Sequence, residues 1–196
     1  MQWVLISSCL VGAPVRYDGR AASSEHSVLD RWLQEKRIIP FCPEIAAGMS
    51  TPRPAIELIG GDGEAVLEAR ARAMGRTGVD ETGACLAGAL ATVELAQRMG
   101  IRVAVLKEGS PSCGSACIHD GTFSGAIIPG QGVTAAALRG HGIAVFSENH
   151  WEQAQVRLSE LEDPCCLSTV MLISPGHRTG TSEGVTHASP SHATLA

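Results

Sequence analysis

Residues 101–114 read IRVAVLKEGSPSCG, and this stretch decides the fold. Its first six residues form a short apolar run, which predicts a strand buried on both faces of a parallel sheet. Similar runs over residues 3–7, 37–41 and 143–146 predict three further strands. The residues after the run are rich in Gly, Ser and Pro and include a cysteine, so the strand leads into a loop that can carry chemistry.

Helical patterns separate these runs, over residues 24–36, 81–99, 133–139 and 151–161. In the two longest, an apolar stripe would face the sheet, formed by Val28, Leu29, Trp32 and Leu33 and by Leu86, Ala89, Leu90, Val93 and Ala96. Strands that alternate with helices are typical of a parallel sheet with crossover connections. The sequence therefore predicts an α/β fold, a small, mostly parallel, Rossmann-like sheet with helices on both faces.

Composition and charge limit the class of protein. Of the 196 residues, 44% are hydrophobic and 18% are charged, which is typical of a globular chain and excludes an intrinsically disordered one. The formal net charge of -5 argues against a protein that holds nucleic acid by phosphate neutralisation alone. No apolar stretch reaches the length of a membrane span, and the start MQWVLI lacks the basic region of a secretory signal. We therefore expect a cytoplasmic protein whose seven cysteines are reduced.

The composition changes near the end of the chain. We expect one α/β domain over residues 1–161 and an extension over 162–196 that is largely disordered from about residue 174, because its last 23 residues are rich in Ser, Thr and Gly and contain no aromatic residue. The histidines of this tail (His177, His187 and His192) are irregularly spaced, which favours solvated residues over metal ligands. The adjacent pair Cys165 and Cys166 receives no role.

Three cysteines follow three of the predicted strands. Cys9 comes after the first strand, Cys42 ends the second, and Cys113 lies in the loop after the strand at 101–106. Because ligands of open parallel sheets bind beyond the carboxyl ends of the strands, these residues would meet at one edge if the strands are neighbours. Three thiolates in a reducing compartment indicate a soft-metal or iron–sulfur site. The alternative is three ordinary buried cysteines, a residue type that is often buried.

Two other cysteines are less informative. Cys85 lies within a predicted helix, where structural burial is the expected role. Cys117 is four residues after Cys113 and is either a fourth ligand or a loop residue.

Polar side chains accompany the thiols in two long Gly- and Pro-rich connections, 43–63 and 109–132, and loops of this length are often functional. Glu44 would point at whatever the thiolates hold and could move protons, or it could cap backbone N–H groups. Ser110 and Ser112 could hydrogen-bond a ligand or a sulfur atom, or they could be ordinary turn residues. No glycine-rich phosphate-binding motif of the dinucleotide or Walker type is present.

Seven short motifs occur in one order along residues 4–148: SCLVG at 8–12, RYDG at 16–19, PFCPE at 40–44, TPRP at 51–54, GGDG at 60–63, KEGSPSCG at 107–114 and DGTFSG at 120–125. Together they resemble the bacterial thiouracil desulfidase family. Each motif alone is weak, but seven in order are specific.

The resemblance implies a 4Fe–4S cluster held by Cys9, Cys42 and Cys113, with the fourth iron free to bind the sulfur of a substrate. It also implies removal of sulfur from thiolated uracil, which gives uracil and hydrogen sulfide, while relatives act on thiouridine or on thiolated RNA. Glu44 and Ser110 align with the catalytic carboxylate and serine of the family. The further candidates for substrate contacts are Ser112, Arg16, Asp18 and Arg53.

Two other functions stay open at this point. One is a metal- or cluster-binding regulator or sulfur carrier in which Cys117 closes the site as a fourth ligand, since closed tetrathiolate sites are structural or transfer electrons. The other is a thiol enzyme with Cys113 as nucleophile, which would need a base such as His119 or His141. The sequence leaves open the oligomeric state and the choice among free base, nucleoside and thiolated tRNA.

Overall fold

The computed structural model of the protein describes residues 1–163. The predicted disorder from residue 174, the pair Cys165 and Cys166 and the three tail histidines lie outside the described residues. Within them the secondary structure runs in chain order β1 (Val4–Ser7), α1 (Ser27–Gln34), β2 (Ile38–Phe41), α2 (Pro43–Ala46), β3 (Ile56–Ile59), α3 (Gly63–Leu67), β4 (Arg72–Gly75), α4 (Thr82–Arg98), β5 (Val103–Leu106), β6 (Cys117–His119), β7 (Ile127–Pro129), α5 (Val133–Gly140), β8 (Ala144–Ser147) and α6 (Trp151–Glu162).

The central sheet has four parallel strands in the order β2-β1-β5-β8. All four predicted strands are present within one or two residues of their expected bounds. Every residue of β1 and β5 is buried, because these central strands are covered on both faces.

Successive side chains of the central strands pack on opposite faces. Leu5 and Ala104 belong to the core that contains α4 and α5, whereas Ile6 and Val105 belong to the core that contains α1 and α6. This alternation is the two-residue period of a strand, and it places helices on both faces. The predicted α/β class is therefore confirmed.

The prediction that Leu33 and Leu90 belong to the buried stripes of their helices is wrong. The exposed fraction of Leu33 is 49% and that of Leu90 is 60%. In α1 the contact stripe is complete with Val28, Leu29 and Trp32, and Leu33 lies about 100° further round the helix. In α4 the buried side faces the sheet through Ala89 and its neighbours, which turns Leu90 outward in the same way.

Two antiparallel hairpins occur where the sequence predicts only long connections. Strand β3 pairs with β4, and β6 pairs with β7. Their strands have three or four residues and include Arg72, Gly75 and Pro129, so neither apolar alternation nor strand propensity reveals them. None of the helices described between residues 1 and 163 is long and apolar enough to cross a membrane.

A close backbone stack supports the loop that carries Cys113. A β-carbon on Gly132 would lie 2.5 Å from the carbonyl carbon and oxygen of Ser112, and one on Gly63 would lie 2.3 Å from the carbonyl carbon of Gly132. The N–H group of Thr134, in the first turn of α5, donates to the Ser112 carbonyl at 2.8 Å. The cysteine loop thus rests on α5 through contacts that have no room for a side chain.

We expect Gly132→Ala to lower the free energy of unfolding by about 2 kcal/mol, because the new methyl group overlaps backbone that cannot move away easily. Gly83→Ala in α4 is the matched control, since its β-carbon would meet nothing within 4 Å. The control should be neutral or stabilising by up to about 1 kcal/mol, as alanine is the better helix former. Denaturant titration of both variants measures the difference, and equal stability of the two would contradict the packing.

Candidate functional site

The structure brings the three predicted cysteines to one cavity of about 550 Å³. Cys9 lies in a short 3-10 turn, Ser8–Val11, directly after β1, and Cys42 caps the start of α2 directly after β2. Cys113 lies in the loop after β5. Because β2, β1 and β5 are neighbours and parallel, their carboxyl ends share one edge of the sheet, and the cysteines meet there.

The other predicted site residues separate into two groups. Those that line the cavity are Glu44, Ser110, Arg16 and Arg53. Ser112 and Asp18 lie outside the lining. The Asp18 carboxylate accepts a hydrogen bond from the Arg20 N–H at 3.0 Å and lies 3.9 Å from Arg16, so the structure gives it a turn contact beside the cavity.

Burial controls the ionisation of the three thiols. Burial and, to a smaller extent, the nearby Cys42 raise the pKa of Cys9 to about 11 against the attraction of Lys107 and Arg16. Burial also raises the pKa of Cys42, and it raises that of Cys113 well above its usual range, with added repulsion from Cys42 and Cys9. The three sulfurs are therefore close enough to repel as thiolates, and they need a positive centre to be charged together.

All three sulfurs receive hydrogen bonds from the protein, and that of Cys9 comes from its own backbone N–H. The backbone N–H groups of Ile45 and Glu44 point at Cys42 and lower its pKa against the larger effect of burial. The Ser7 hydroxyl oxygen accepts the Lys107 N–H at 3.0 Å, which leaves the hydroxyl hydrogen free to donate to Cys113. Donors of this kind stabilise charged sulfur and tune metal ligands.

Glu44 is held from two sides. The Ser112 hydroxyl donates to Oε1 at 2.9 Å, and the Arg53 guanidinium forms an ion pair with Oε2. The side chains of Glu44 and Arg53 are only 13% and 9% exposed, so the pair is largely shielded from solvent. Each carboxylate oxygen keeps a further lone pair, and Glu44 can accept another hydrogen bond or a proton from the cavity. Ser112, predicted as a substrate contact, is buried outside the cavity lining and contacts this carboxylate.

Ser110 has a clear role in the loop. Its hydroxyl oxygen accepts the backbone N–H groups of Ser112 at 3.2 Å and Cys113 at 3.1 Å. Such a turn fixes the backbone around the cysteine, which agrees with the alternative interpretation of Ser110 as a turn residue. The hydroxyl hydrogen is not used in these bonds and remains available on the cavity side.

Glu108 organises the rest of the same loop. Its carboxylate accepts the N–H groups of Ser115 at 2.8 Å and of Ala116 and Cys117 at 3.0 Å, and it also accepts the Ser115 hydroxyl. Burial opposes the charge, but these hydrogen bonds outweigh it and lower the pKa of Glu108 below its ordinary value of 4.5.

We expect Glu108→Gln to lower the free energy of unfolding at neutral pH by about 1–2 kcal/mol, since the amide group would present hydrogens to N–H donors. A lowered folded-state pKa stabilises above the unfolded value of 4.5 and loses this effect as the pH falls through the folded value. The stability gap between wild type and variant should therefore be constant at neutral pH and shrink below 4.5. Denaturant titrations across that range measure it.

The control for this comparison is Glu68→Gln, which changes an exposed carboxylate paired with the nearby, exposed Arg70. Its stability should equal that of wild type at every pH. A gap for Glu108→Gln that stays constant into acid would contradict the assigned hydrogen bonds.

Cys117 is separate from the other three thiols. It begins β6, does not line the cavity, and is surrounded by the carboxylates Glu108 and Glu148. Burial first, and then Glu108, raise its pKa. The structure therefore does not bring Cys117 to the site. Cys85, expected to be structural, is buried in α4 against Ser112.

Four residues that line the cavity were not predicted from the sequence as site residues: Ser7, Glu57, Arg76 and Phe123. Phe123 lies in the motif DGTFSG, so its presence in a matched motif is a signal that could have found it. Glu57 and Arg76 belong to the unpredicted hairpin, and no local signal marks them. His119 also lines the cavity, and its buried Nδ1 has no hydrogen-bond partner among residues 1–163.

Comparison with known proteins agrees with the motifs. The model of the 2-thiouracil desulfurase family matches residues 4–150. The protein YbbK of Bacillus subtilis (strain 168) is 45% identical over 146 residues, which are 74% of this chain and 95% of that protein. A solved structure, the 4Fe–4S-dependent thiouracil desulfidase TudS, is similar with a TM-score of 0.74 and 42% identity, covering 81% of this chain and 99% of that one. The resemblance is confirmed, and the chain belongs to the 2-thiouracil desulfurase family.

Proposed function

We propose that the protein is a 4Fe–4S-dependent desulfidase that removes the sulfur of a thiolated pyrimidine, 2-thiouracil or a related thiouridine. The observation that carries this proposal is the convergence of Cys9, Cys42 and Cys113 on the cavity that also contains Glu44. The similarity to TudS, which is described as a 4Fe–4S-dependent thiouracil desulfidase, supports the cofactor and the substrate class.

The donor set fits a cluster. Burial raises the pKa values of all three thiols, and neighbouring thiols raise those of Cys9 and Cys113 further, so the three sulfurs can be charged together only around a positive centre. Among residues 1–163, no three His, Cys, Asp or Glu side chains are placed to hold a single metal ion. A cubane bonds each cysteine to a different iron, so its ligands stand further apart than those of one ion. We therefore assign Cys9, Cys42 and Cys113 as the cluster ligands.

With three cysteine ligands, the cluster would leave one iron open as a Lewis acid for the sulfur of the substrate. The overall reaction consumes one water: a C–O bond forms at the thiocarbonyl carbon, the C–S bond breaks, and sulfide leaves without a change in oxidation state. Glu44 accepts a proton from the attacking water, while Arg53 and Ser112 keep its carboxylate oriented. Ser110 offers its hydroxyl hydrogen to the substrate or to the water.

The two other functions receive less support from the geometry. A closed four-cysteine site needs Cys117, which lies outside the cavity. The hypothesis of a thiol enzyme is supported by His119, because this possible base lines the same cavity as Cys113. However, burial raises the pKa of Cys113 well above its usual range, the opposite of what an activated nucleophile requires.

We also propose that residues 1–161 are the catalytic unit and that the protein acts in the cytoplasm, where thiols stay reduced. The cavity of about 550 Å³ would hold the cluster as well as the substrate, and thionucleosides and thiolated tRNA are further candidate substrates.

The test is to purify the protein without oxygen, measure iron and acid-labile sulfide, and then incubate it with 2-thiouracil. About four iron atoms per chain, with uracil and hydrogen sulfide formed in equal amounts, are the expected result. Metal-free protein after reconstitution, or an iron-loaded protein that leaves both 2-thiouracil and thiouridine unchanged, would contradict the proposal.

A further inference from the structure

The loop 120–125 reaches the cavity through Phe123, Ser124 and Gly125, but it has no part in the reaction described above. Within it, the Asp120 carboxylate accepts the N–H of Thr122 at 3.0 Å and its hydroxyl at 2.6 Å. The Thr122 and Ser124 hydroxyls are 2.8 Å apart. These short-range bonds fix the loop without a ligand, so the side chain at its tip, Phe123, is presented to the cavity by a preorganised frame.

The backbone of Phe123 is held on both sides. Its N–H donates to Oε2 of Glu57 at 2.8 Å, and its carbonyl accepts from the Arg76 guanidinium at 2.8 Å. Glu57 lies on β3 and is 6% exposed, and Arg76 follows β4 directly. A buried carboxylate is costly unless it is hydrogen-bonded, which makes the bond from Phe123 important for both partners. The β3–β4 hairpin therefore fixes where Phe123 lies.

The backbone conformation of Phe123 is unfavourable. Its φ angle is +58°, in the left-handed region that bulky residues rarely adopt. Glycine would adopt this conformation without strain, and the loop already has Gly121 and Gly125 at positive φ. Strained residues that the surroundings hold in place are concentrated at functional sites. The protein therefore keeps a strained residue at this position, and that residue places an aromatic ring on the cavity wall.

A planar aromatic wall suits a planar ligand. The Arg76 guanidinium carbon lies 5.9 Å from the centroid of the Phe123 ring, and both side chains line the cavity. Nucleobases stack on aromatic rings and on guanidinium planes, irrespective of their hydrogen-bonding edges. We propose that Phe123 is the stacking surface for the pyrimidine ring of the substrate, and that Glu57 and Arg76 are positioning residues that hold it there. This inference rests on the proposed function and specifies how the substrate ring is bound.

The test compares Phe123→Leu with Phe123→Tyr in the cluster-loaded protein. Uracil is the first probe, because its equilibrium binding requires no bond to iron through sulfur. Phe123→Leu should weaken uracil binding about tenfold or more, and Phe123→Tyr by less than about threefold, because only the aromatic variant keeps a stacking face. With 2-thiouracil, the KM of Phe123→Leu should rise by the same factor while kcat changes little, as expected for a contact made before and during the reaction.

The role of Glu57 is tested by a matched pair. Glu57→Gln keeps an oxygen that accepts the Phe123 N–H and should bind uracil as wild type does. Glu57→Leu removes the acceptor and should weaken uracil binding as strongly as Phe123→Leu. Iron content and circular dichroism of each variant verify that the fold and the cluster are intact.

Three results would overturn the inference: wild-type protein that does not bind uracil, Phe123→Leu that binds it normally, or equal losses in the leucine and tyrosine variants. The proposed function fails on a different measurement, the release of sulfide from 2-thiouracil by the wild-type protein. Uracil binding that depends on Phe123 would stand even then.

Discussion

Cys9→Ser is expected to reduce bound iron from about four atoms per chain to nearly none, because two remaining cysteines cannot hold a cubane that already has one open iron. Cys9 is 7% exposed and lies beside Cys42, so the serine hydroxyl, a poorer ligand for iron than a thiolate, would replace sulfur at the cavity wall. Iron, acid-labile sulfide and the visible spectrum of anaerobically purified protein measure the loss.

Cys117→Ser is the matched control, as it makes the same atomic change four residues after a proposed ligand and outside the cavity. It should keep full iron content and turnover. Full iron in Cys9→Ser would remove this residue from the ligand set, and loss of iron in Cys117→Ser would restore the closed four-cysteine site.

Glu44→Gln is expected to keep its cluster and to lose turnover by at least ~100-fold, the scale of a general acid–base contribution. The amide still accepts the hydrogen bond from Ser112 but takes no proton from water, and it gives up the ion pair with Arg53. Because Arg53 is only 9% exposed, iron content and circular dichroism must confirm that the variant is folded. Sulfide release from 2-thiouracil under saturating conditions is the measurement.

Two comparisons sharpen this result. Glu68→Gln, on the surface, should be fully active. Ser112→Ala removes one hydrogen bond to Glu44 and should cost roughly two- to tenfold, as one neutral donor typically contributes about 1 kcal/mol. Normal turnover of Glu44→Gln would exclude Glu44 from the reaction.

The four strands of the central sheet were predictable because each is a local apolar run. The meeting of Cys9, Cys42 and Cys113 was predicted on the condition that their strands are neighbours, and the order β2-β1-β5 fulfils it. The hairpins were not predictable. Strand β4 (Arg72–Gly75) has little strand propensity and exists because it pairs with β3.

The orientation of the side chains in the site could not be predicted from the sequence either. Ser112 is in a matched motif, and only the approach of α2 to the cysteine loop shows that its hydroxyl contacts Glu44. Gly88 permits α2 to pack closely on α4, since a β-carbon there would lie 2.4 Å from the Pro43 carbonyl oxygen. Such contacts between distant segments are set by packing, and a single sequence does not record them.

The order of the strands has a consequence for how the protein matures. Cys9, Cys42 and Cys113 follow three adjacent strands, so a cofactor bonded to all three would cross-link β1, β2 and β5 and close two long chain loops, 9–42 and 42–113. Cross-links that close long loops restrict the unfolded chain, and binding to the folded state adds directly to its stability. Cofactor loading and the resistance of the chain to proteolysis would then rise together, and loss of the cofactor would lower that resistance again.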